Sequence, residues 1–331
     1  MTEEATTYRV VVTDHVFTDL ETERGLLAPL GAELVLAPST DEATLTELAR
    51  GADALLVCYA PVPRAVVEAA AEGGVRVISR YGIGYDNVDV DAASEHGILV
   101  TNVPDYCLDE VADHTMALLL AAARGVVEAC ASVRHGGWAV PQTRIHSLRG
   151  RQLTLVGLGR IGVKVAERAL PFGLRVVAFD PFVTEAPLAG IELAGSLAEA
   201  LAGADLVSLH VPMSAANRHL VDDAAIALMT RSPVLVNTSR GGLVDLDATT
   251  RALEDGRLAG VALDVTEPEP LPADHPLRTH PRAIVTPHMA FYSEEAQAEL
   301  QRRAADEVAR ALEGKPPRSP VNADRLGQAA S

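Results

Sequence analysis

The chain has 331 residues, of which 48% are apolar, long enough for two domains at roughly 150 residues each and apolar enough for sizeable cores. Its 28 Lys and Arg against 45 Asp and Glu give a formal net charge of −17, and such a surface repels phosphate backbones and anionic lipid. Nucleic acid and membranes are therefore not expected as partners, whereas a small anionic substrate needs only one well-placed Arg and a few backbone N–H groups.

The N-terminus is acidic and lacks an apolar h-region, so no signal peptide is expected and the chain reads as cytoplasmic. Short β-branched runs then alternate with Ala/Leu/Glu-rich stretches, the pattern of parallel sheets with crossover helices. Strands are expected at Arg9–Val12, Glu33–Leu36, Ala54–Val57, Arg76–Ile78 and Ile98–Val100, with helices such as Glu42–Ala49 and Pro63–Ala71 between them. A single long helix is expected over Leu108–Ala131, apolar on every side near Met116–Ala122 and so placed between packed units. Its longest apolar run, Thr115 to Ala123, is too short to span a bilayer. A turn-rich stretch from His135 to Gly150 follows and is expected to wrap over the surface.

The second series of strands is expected at Gln152–Val156, Arg175–Phe179, Leu206–Leu209, Val234–Asn237, Gly260–Leu263 and Ala283–Val285. Ser196-x-x-Glu199 has the spacing of a helix capping box. The last helix is expected over Tyr292–Leu312, with apolar residues every fourth position forming one buried stripe. Gly314 to Ser331 contains three Pro without periodicity and reads as an irregular tail. Cys58, Cys107 and Cys130 lie in apolar or helical surroundings without metal-like spacing, so they read as small buried hydrophobes in a reducing compartment, and no metal site is expected.

The strand Gln152–Val156 runs into Gly157-Leu-Gly159-Arg-Ile-Gly162, followed by a helix and a second strand that ends at Asp180. In such a unit the first Gly makes the tight turn, the second lets backbone approach a pyrophosphate, and the third lets helix and strand pack closely. The helix N-terminus supplies N–H donors to the phosphates. Asp180 can accept from both ribose hydroxyls and would repel a 2′-phosphate, while Pro181 and Phe182 offer no cation to receive one. NAD is therefore expected rather than NADP.

Three further stretches follow strands of the same series, where ligands of open α/β sheets bind. In Asn237-Thr-Ser-Arg240-Gly-Gly, a guanidinium precedes two Gly that imply a backbone brought close to something. That fork of donors could hold a carboxylate or polarise a carbonyl. Asp264-Val-Thr-Glu267-Pro-Glu269-Pro270 places three acids in a Pro-stiffened loop, and Thr286-Pro-His288 ends the last strand on a histidine. Reducing a carbonyl by hydride requires a proton at oxygen, which an imidazole paired with a carboxylate can deliver near neutral pH.

These residues converge on a family. Tyr81-Gly-Ile-Gly-Tyr-Asp-Asn-Val-Asp89, Thr101-Asn-Val-Pro104, the Gly157 loop, the Arg240 stretch, the Asp264–Glu269 loop and Thr286-Pro-His288 occur in family order. Over almost its whole length the chain resembles the D-isomer-specific 2-hydroxyacid dehydrogenases. The resemblance implies an α/β protein of two doubly wound domains, flavodoxin-like and Rossmann, with a cleft between them. Residues 1–103 completed by 292–331 would form the substrate domain, and 104–291 an inserted NAD-binding domain.

By the same resemblance, Arg240 binds the substrate's carboxylate and keto oxygen, His288 is the acid/base, and Glu269 is its carboxylate partner. The Ile83–Gly84 backbone cradles the anionic end of the substrate, with Tyr106 and Phe291 beside it. The NAD contacts are Gly157, Gly159, Arg160, Ile161, Gly162, Asp180, His210, Pro212, Thr238, Ser239, Asp264 by the nicotinamide carboxamide, and His288. Tyr81, Ile83, Tyr106, Cys107, Phe291 and Tyr292 are expected to line the pocket. A homodimer is expected from the family.

Within the family, Pro287-His-Met-Ala-Phe-Tyr-Ser-Glu is similar to the branch of the C-terminal-binding-protein corepressors and their bacterial relatives, which usually carry Trp where Phe291 stands. The chain ends without the regulatory extension of long phosphoglycerate dehydrogenases. The leading expectation is an NAD-dependent enzyme interconverting a small 2-ketoacid and its D-2-hydroxyacid. The alternatives are an NAD(H)-sensing, corepressor-like interaction protein and a dehydrogenase of phosphite or a hydroxyphosphonate. Ile83 weakens the last, because phosphite oxidisers usually carry Lys there.

Overall fold

A computed structural model describes residues 8–140 and 145–326. The chain divides into two compact units, Met1–Tyr106 with Ser293–Ser331, and Cys107–Tyr292.

In the first unit five parallel strands, β1 (Tyr8–Val12), β2 (Ala32–Leu36), β3 (Ala54–Val57), β4 (Val77–Arg80) and β5 (Leu99–Thr101), take the order β2-β1-β3-β4-β5. This is the flavodoxin-like order. Central β3 is apolar and buried at every residue, as a strand covered on both faces requires, whereas the edge strand β2 is only partly buried. Helices α1 (Glu21–Leu27), α2 (Glu42–Ala49), α3 (Arg64–Gly73) and α4 (Val90–Glu95) connect them.

The second unit opens with α5 (Leu108–Ala123) and α6 (Val126–Arg134). The expected single helix is broken, because Gly125 adopts φ 61° and the two segments meet at 64°. A positive φ interrupts the hydrogen-bond ladder, and Gly adopts it without a Cβ penalty. Helix α5 packs on the second unit's own elements, with Ala112, Met116, Leu118 and Leu119 buried against its sheet. Among the described residues no single helix is long and apolar enough to cross a membrane. Of the turn-rich stretch, residues 141–144 lie outside the described residues. Cys130 is exposed on α6, contrary to the expected buried role, whereas Cys58 and Cys107 are buried.

Seven parallel strands form the second sheet: β6 (Gln152–Val156), β7 (Arg175–Phe179), β8 (Ile191–Leu193), β9 (Leu206–Leu209), β10 (Val234–Asn237), β11 (Gly260–Leu263) and β12 (Ala283–Val285). Their order, β12-β11-β10-β9-β6-β7-β8, is the Rossmann order with one further strand. The connections include α7 (Arg160–Ala169), α8 (Leu197–Ala202), α9 (Asp223–Leu228) and α10 (Leu246–Glu254). Strand β8 was not expected; its three residues at the sheet edge are too few to show a period. At α8 the Ser196 hydroxyl accepts from Glu199 N at 3.2 Å, but the Glu199 carboxylate accepts from Gly195 N at 2.8 Å rather than closing the box on Ser196.

The chain returns to the first unit through α11 (Glu294–Leu312), capped by Ser293. It begins two residues later than expected, and Tyr292 stays half exposed, while Ala296, Leu300, Ala304, Val308 and Leu312 form the buried stripe. Of the expected irregular tail, residues 327–331 lie outside the described residues, and the part before them is ordered. Val321 N donates to Val100 O at 2.8 Å, Pro320 bridges antiparallel to Thr101, and a short α12 (Ala323–Leu326) follows. Buried Glu307 accepts from Arg318 N and Ser319 N, and buried Asn322 accepts from Val100 N while donating to Ile98 O and Ser94 Oγ. Asn322→Ala leaves Val100 N–H and Ile98 C=O without this partner. It should lower the unfolding free energy by about 2 kcal/mol in denaturant titration; an unchanged value would show that the tail is not held this way.

Candidate active site

The crevice of a doubly wound sheet opens where strand order reverses, here between β6 and β9. Gly157 follows β6 with φ 96°, and a Cβ there would lie 2.5 Å from the carbonyl oxygen of His210, the residue after β9. A Cβ on Gly162 would lie 2.5 Å from Gly157 O, whereas one on Gly159 would meet nothing within 4 Å. The first and third glycines thus permit close packing, and the second borders open space. Gly159 caps α7 without a side-chain acceptor, so the N–H groups before exposed Arg160 and half-buried Ile161 are not satisfied by a capping side chain.

Asp180, after β7, accepts from Leu158 N and Phe182 N, each at 2.9 Å. That pair joins the Gly loop to the end of β7. The shape of the loop, the bare α7 N-terminus and the carboxylate beside it fit a dinucleotide. His210 Nε2 lies 2.9 Å from Ser208 Oγ, its buried Nδ1 has no hydrogen-bond partner among the described residues, and burial pushes the imidazole down to about 4. Pro212 is exposed, and its carbonyl accepts from Asn217 Nδ2. The Thr238 hydroxyl is bonded to Thr115 Oγ1 at 2.8 Å and Ser239 Oγ donates to Leu209 O at 2.7 Å, so both hydroxyls hold this loop to α5 and β9.

The three acids after β11 separate cleanly. Glu267 pairs with Arg218 at 2.8 Å. Glu269 Oε2 lies 2.9 Å from His288 Nδ1, and its Oε1 accepts from Thr266 N at 3.0 Å. Asp264 is buried and accepts from Thr286 Oγ1 at 2.6 Å, Met289 N at 2.9 Å and Ala290 N at 2.8 Å, with His114 Nε2 at 3.5 Å. Burial would raise its carboxyl, but His114, Thr286 and the two N–H groups outweigh that and hold it at about 2. The Asp264 carbonyl also accepts from His288 N at 2.8 Å. These bonds bracket His288, which adopts φ 51°, a conformation that costs a side-chain-bearing residue free energy unless its surroundings impose it.

Arg240 follows β10 half-buried, with its carbonyl accepting from Asn237 Nδ2 at 2.8 Å. The two glycines after it serve a neighbouring loop. A Cβ on Gly241 would lie 2.1 Å from the Thr266 carbonyl, and one on Gly242 2.9 Å from a Glu267 carboxylate oxygen. Their absent side chains let the Arg240 turn press against the acid-bearing loop.

In the first unit, Ile83 and Gly84 are half-buried beyond β4, and Ile83 O accepts from Asn102 Nδ2 at 2.6 Å. Two residues expected to line a pocket are core instead. Tyr81 is 2% exposed with its hydroxyl on Glu23 Oε1 at 2.8 Å, and Cys107 is also 2% exposed. Half-buried Tyr106 packs against the first unit's core; Phe291 is half-buried, and Tyr292 half exposed.

Residues 116–290 match the model of the D-isomer specific 2-hydroxyacid dehydrogenase NAD-binding domain, more than half of the chain. The chain is 39% identical over 285 residues to a glyoxylate reductase of Korarchaeum cryptofilum, covering 84% of this chain and 85% of that protein. The chain belongs to the D-isomer specific 2-hydroxyacid dehydrogenase family. It is also 38% identical over 323 residues to the D-3-phosphoglycerate dehydrogenase of Methanocaldococcus jannaschii, covering 97% of this chain but only 60% of that protein's length. Among solved structures, the D-lactate dehydrogenase of Aquifex aeolicus, complexed with NAD and lactic acid, is 27% identical with a TM-score of 0.83, covering 92% of this chain and 96% of that one.

In this family member the motif reading overlooked His114 and Arg218. His114 stands among Asp109, Glu110, Asp113 and Thr115 at the polar start of α5, and Arg218 lies 49 residues from Glu267, so neither has a local cue. Because Asp264 is held below its ordinary 3.8, its contribution to stability is present above about pH 4 and lost as pH falls through 2. Wild type should lose roughly 2 kcal/mol over that range which Asp264→Asn does not lose. Equal acid slopes in chemical denaturation would refute the bracketed carboxylate.

Proposed function

We propose that this chain is an NAD-dependent oxidoreductase that interconverts a small 2-ketoacid and its D-2-hydroxyacid. The observation that carries this reading is the 2.9 Å contact between His288 Nδ1 and Glu269 Oε2, in the same unit as the Gly157 loop and Arg240. Bound NADH supplies the hydride to the 2-carbon, and NAD accepts it in reverse. Glu269 fixes the imidazole's orientation through Nδ1, which assigns Nε2 to give the proton to the substrate's 2-oxygen and to take it back. Arg240 holds the carboxylate and draws charge from the keto oxygen through its fork of donors. The Ile83–Gly84 backbone receives the anionic end, with Tyr106 and Phe291 beside it.

The proposed NAD contacts are those expected above, with Asp180 favouring NAD over a 2′-phosphorylated dinucleotide. The Aquifex relative, complexed with NAD and lactic acid, supports the pairing of cofactor and substrate class. A homodimer and a cytoplasmic location belong to the same proposal. Val126, Val127 and Val133 on α6 and Trp138 and Val140 beyond it are exposed, a concentration of apolar side chains that a second copy would cover. No disulfide joins the three cysteines, which suits a reducing compartment.

In NADH-oxidation assays over glyoxylate, hydroxypyruvate and phenylpyruvate, wild type should turn over at least one. His288→Gln should lower kcat by about a hundredfold or more while NADH still binds, and Arg240→Ala should lower kcat/KM about as far. Wild-type rates in His288→Gln would refute the acid/base assignment, and an inactive wild type would refute the substrate class.

A further inference from the structure

Tyr81 immediately precedes the Gly82–Ile83–Gly84 turn, and its side chain runs the other way, into the core. Its hydroxyl donates to Glu23 Oε1 at 2.8 Å, and its ring meets Phe17 edge-on at 5.0 Å. Glu23, on the first turn of α1, is fully buried, and among the described residues no cation neutralises it at hydrogen-bond distance. Its partners are Tyr81 and Gln301 of α11, whose amide nitrogen lies 3.1 and 3.3 Å from the two carboxylate oxygens and also donates to Asp19 O at 3.0 Å. A buried carboxylate held by neutral donors is costly to keep, and removing one donor leaves it undersatisfied. Burial, then the neighbouring Glu23, pushes the phenol well above its usual value, so Tyr81 remains a donor.

The turn itself hangs on few bonds. Gly82 adopts φ 141°, its carbonyl accepts from Val103 N at 3.0 Å, and Ile83 O accepts from Asn102 Nδ2 at 2.6 Å. On its N-terminal side Tyr81 N donates to Val57 O at 2.8 Å and Gly82 N to Arg80 O at 3.0 Å, the Arg80 guanidinium lies against Gly82, and the phenol ties the residue before the turn to α1 and, through Glu23, to Gln301 of α11. We propose that Tyr81 is a positioning residue: through Glu23 and Gln301 it sets the Ile83–Gly84 backbone for the substrate's anionic end and so governs substrate affinity. This rests on the reading that Ile83 and Gly84 form that cradle.

The test measures KM and kcat for whichever of glyoxylate, hydroxypyruvate or phenylpyruvate wild type reduces, with NADH affinity from its fluorescence. Tyr81→Phe removes one oxygen and should raise KM about tenfold, with kcat and NADH affinity within about twofold. Glu23→Ala should do the same, and Glu23→Gln, which keeps an acceptor for the phenol, should restore most of the affinity. Gly84→Ala, a methyl group added to the cradle, should also raise KM. If Gly84→Ala raises KM and Tyr81→Phe does not, the positioning role is overturned while the cradle stands. If Gly84→Ala leaves KM unchanged, the cradle is overturned and the role of Tyr81 with it. Parallel loss of kcat, KM and NADH affinity in Tyr81→Phe would show a general structural role and also overturn the proposal. Should Glu23→Ala fail to fold, Tyr81→Phe decides alone.

Discussion

One buried carboxylate organises the chemistry of the second unit. Asp264 sits just past β11, gathers a threonine hydroxyl and two backbone N–H groups from the stretch after β12, and draws His114 in from α5. Its own carbonyl receives His288 N. A histidine in a left-handed conformation is unfavourable by itself, and these bonds hold it there with its ring on Glu269. Without the anchor, a positive-φ histidine on an exposed loop would relax, and the Glu269 contact would be lost with it. The loop that carries Glu269 is braced from the side by Gly241, where a Cβ would lie 2.1 Å from the Thr266 backbone carbonyl.

The parallel sheet explains why these residues meet. Strands β10, β11 and β12 are neighbours in register, so the segments leaving their carboxyl ends emerge side by side. Arg240, the acid-bearing loop and His288 are those segments. The Gly157 turn and Asp180 leave the same edge of the sheet through β6 and β7. A reaction that needs a cation, a proton carrier and a bound dinucleotide can therefore be assembled from loops while the strands serve as a largely apolar, buried scaffold.

Much of the scaffold was legible in the sequence because strands covered on both faces must be continuously apolar and are punctuated by Gly, Pro and Asp. Gln152–Val156, Val234–Asn237 and Gly260–Leu263 have the same bounds in the sequence pattern and the structure. Composition does not reveal a break that depends on one torsion, and so the bend at Gly125 and the three-residue strand β8 escaped it. The tail escaped because its order comes from Glu307 of α11 accepting from the Arg318 and Ser319 backbone and from Asn322 meeting strand backbone over two hundred residues away, not from any period of its own. At the site, the residues alone left three acids open and only the family resemblance singled out Glu269. The structure separates them physically, one buried as an anchor, one paired with Arg218 and one on His288. Gly241 and Gly242 did mark a close approach, but to the protein's own loop, and Tyr81 points away from the turn it precedes.

The proposed chemistry depends on Glu269 acting through His288, and replacing the Glu269 carboxylate with an amide of the same shape tests it most directly. Glu269→Gln keeps a hydrogen-bonding side chain of the same size and removes the carboxylate. The predicted result is a fall in kcat/KM for ketoacid reduction of about tenfold or more at neutral pH, with NADH affinity unchanged. Wild-type kcat/KM in that variant would contradict the paired acid/base on which the account depends.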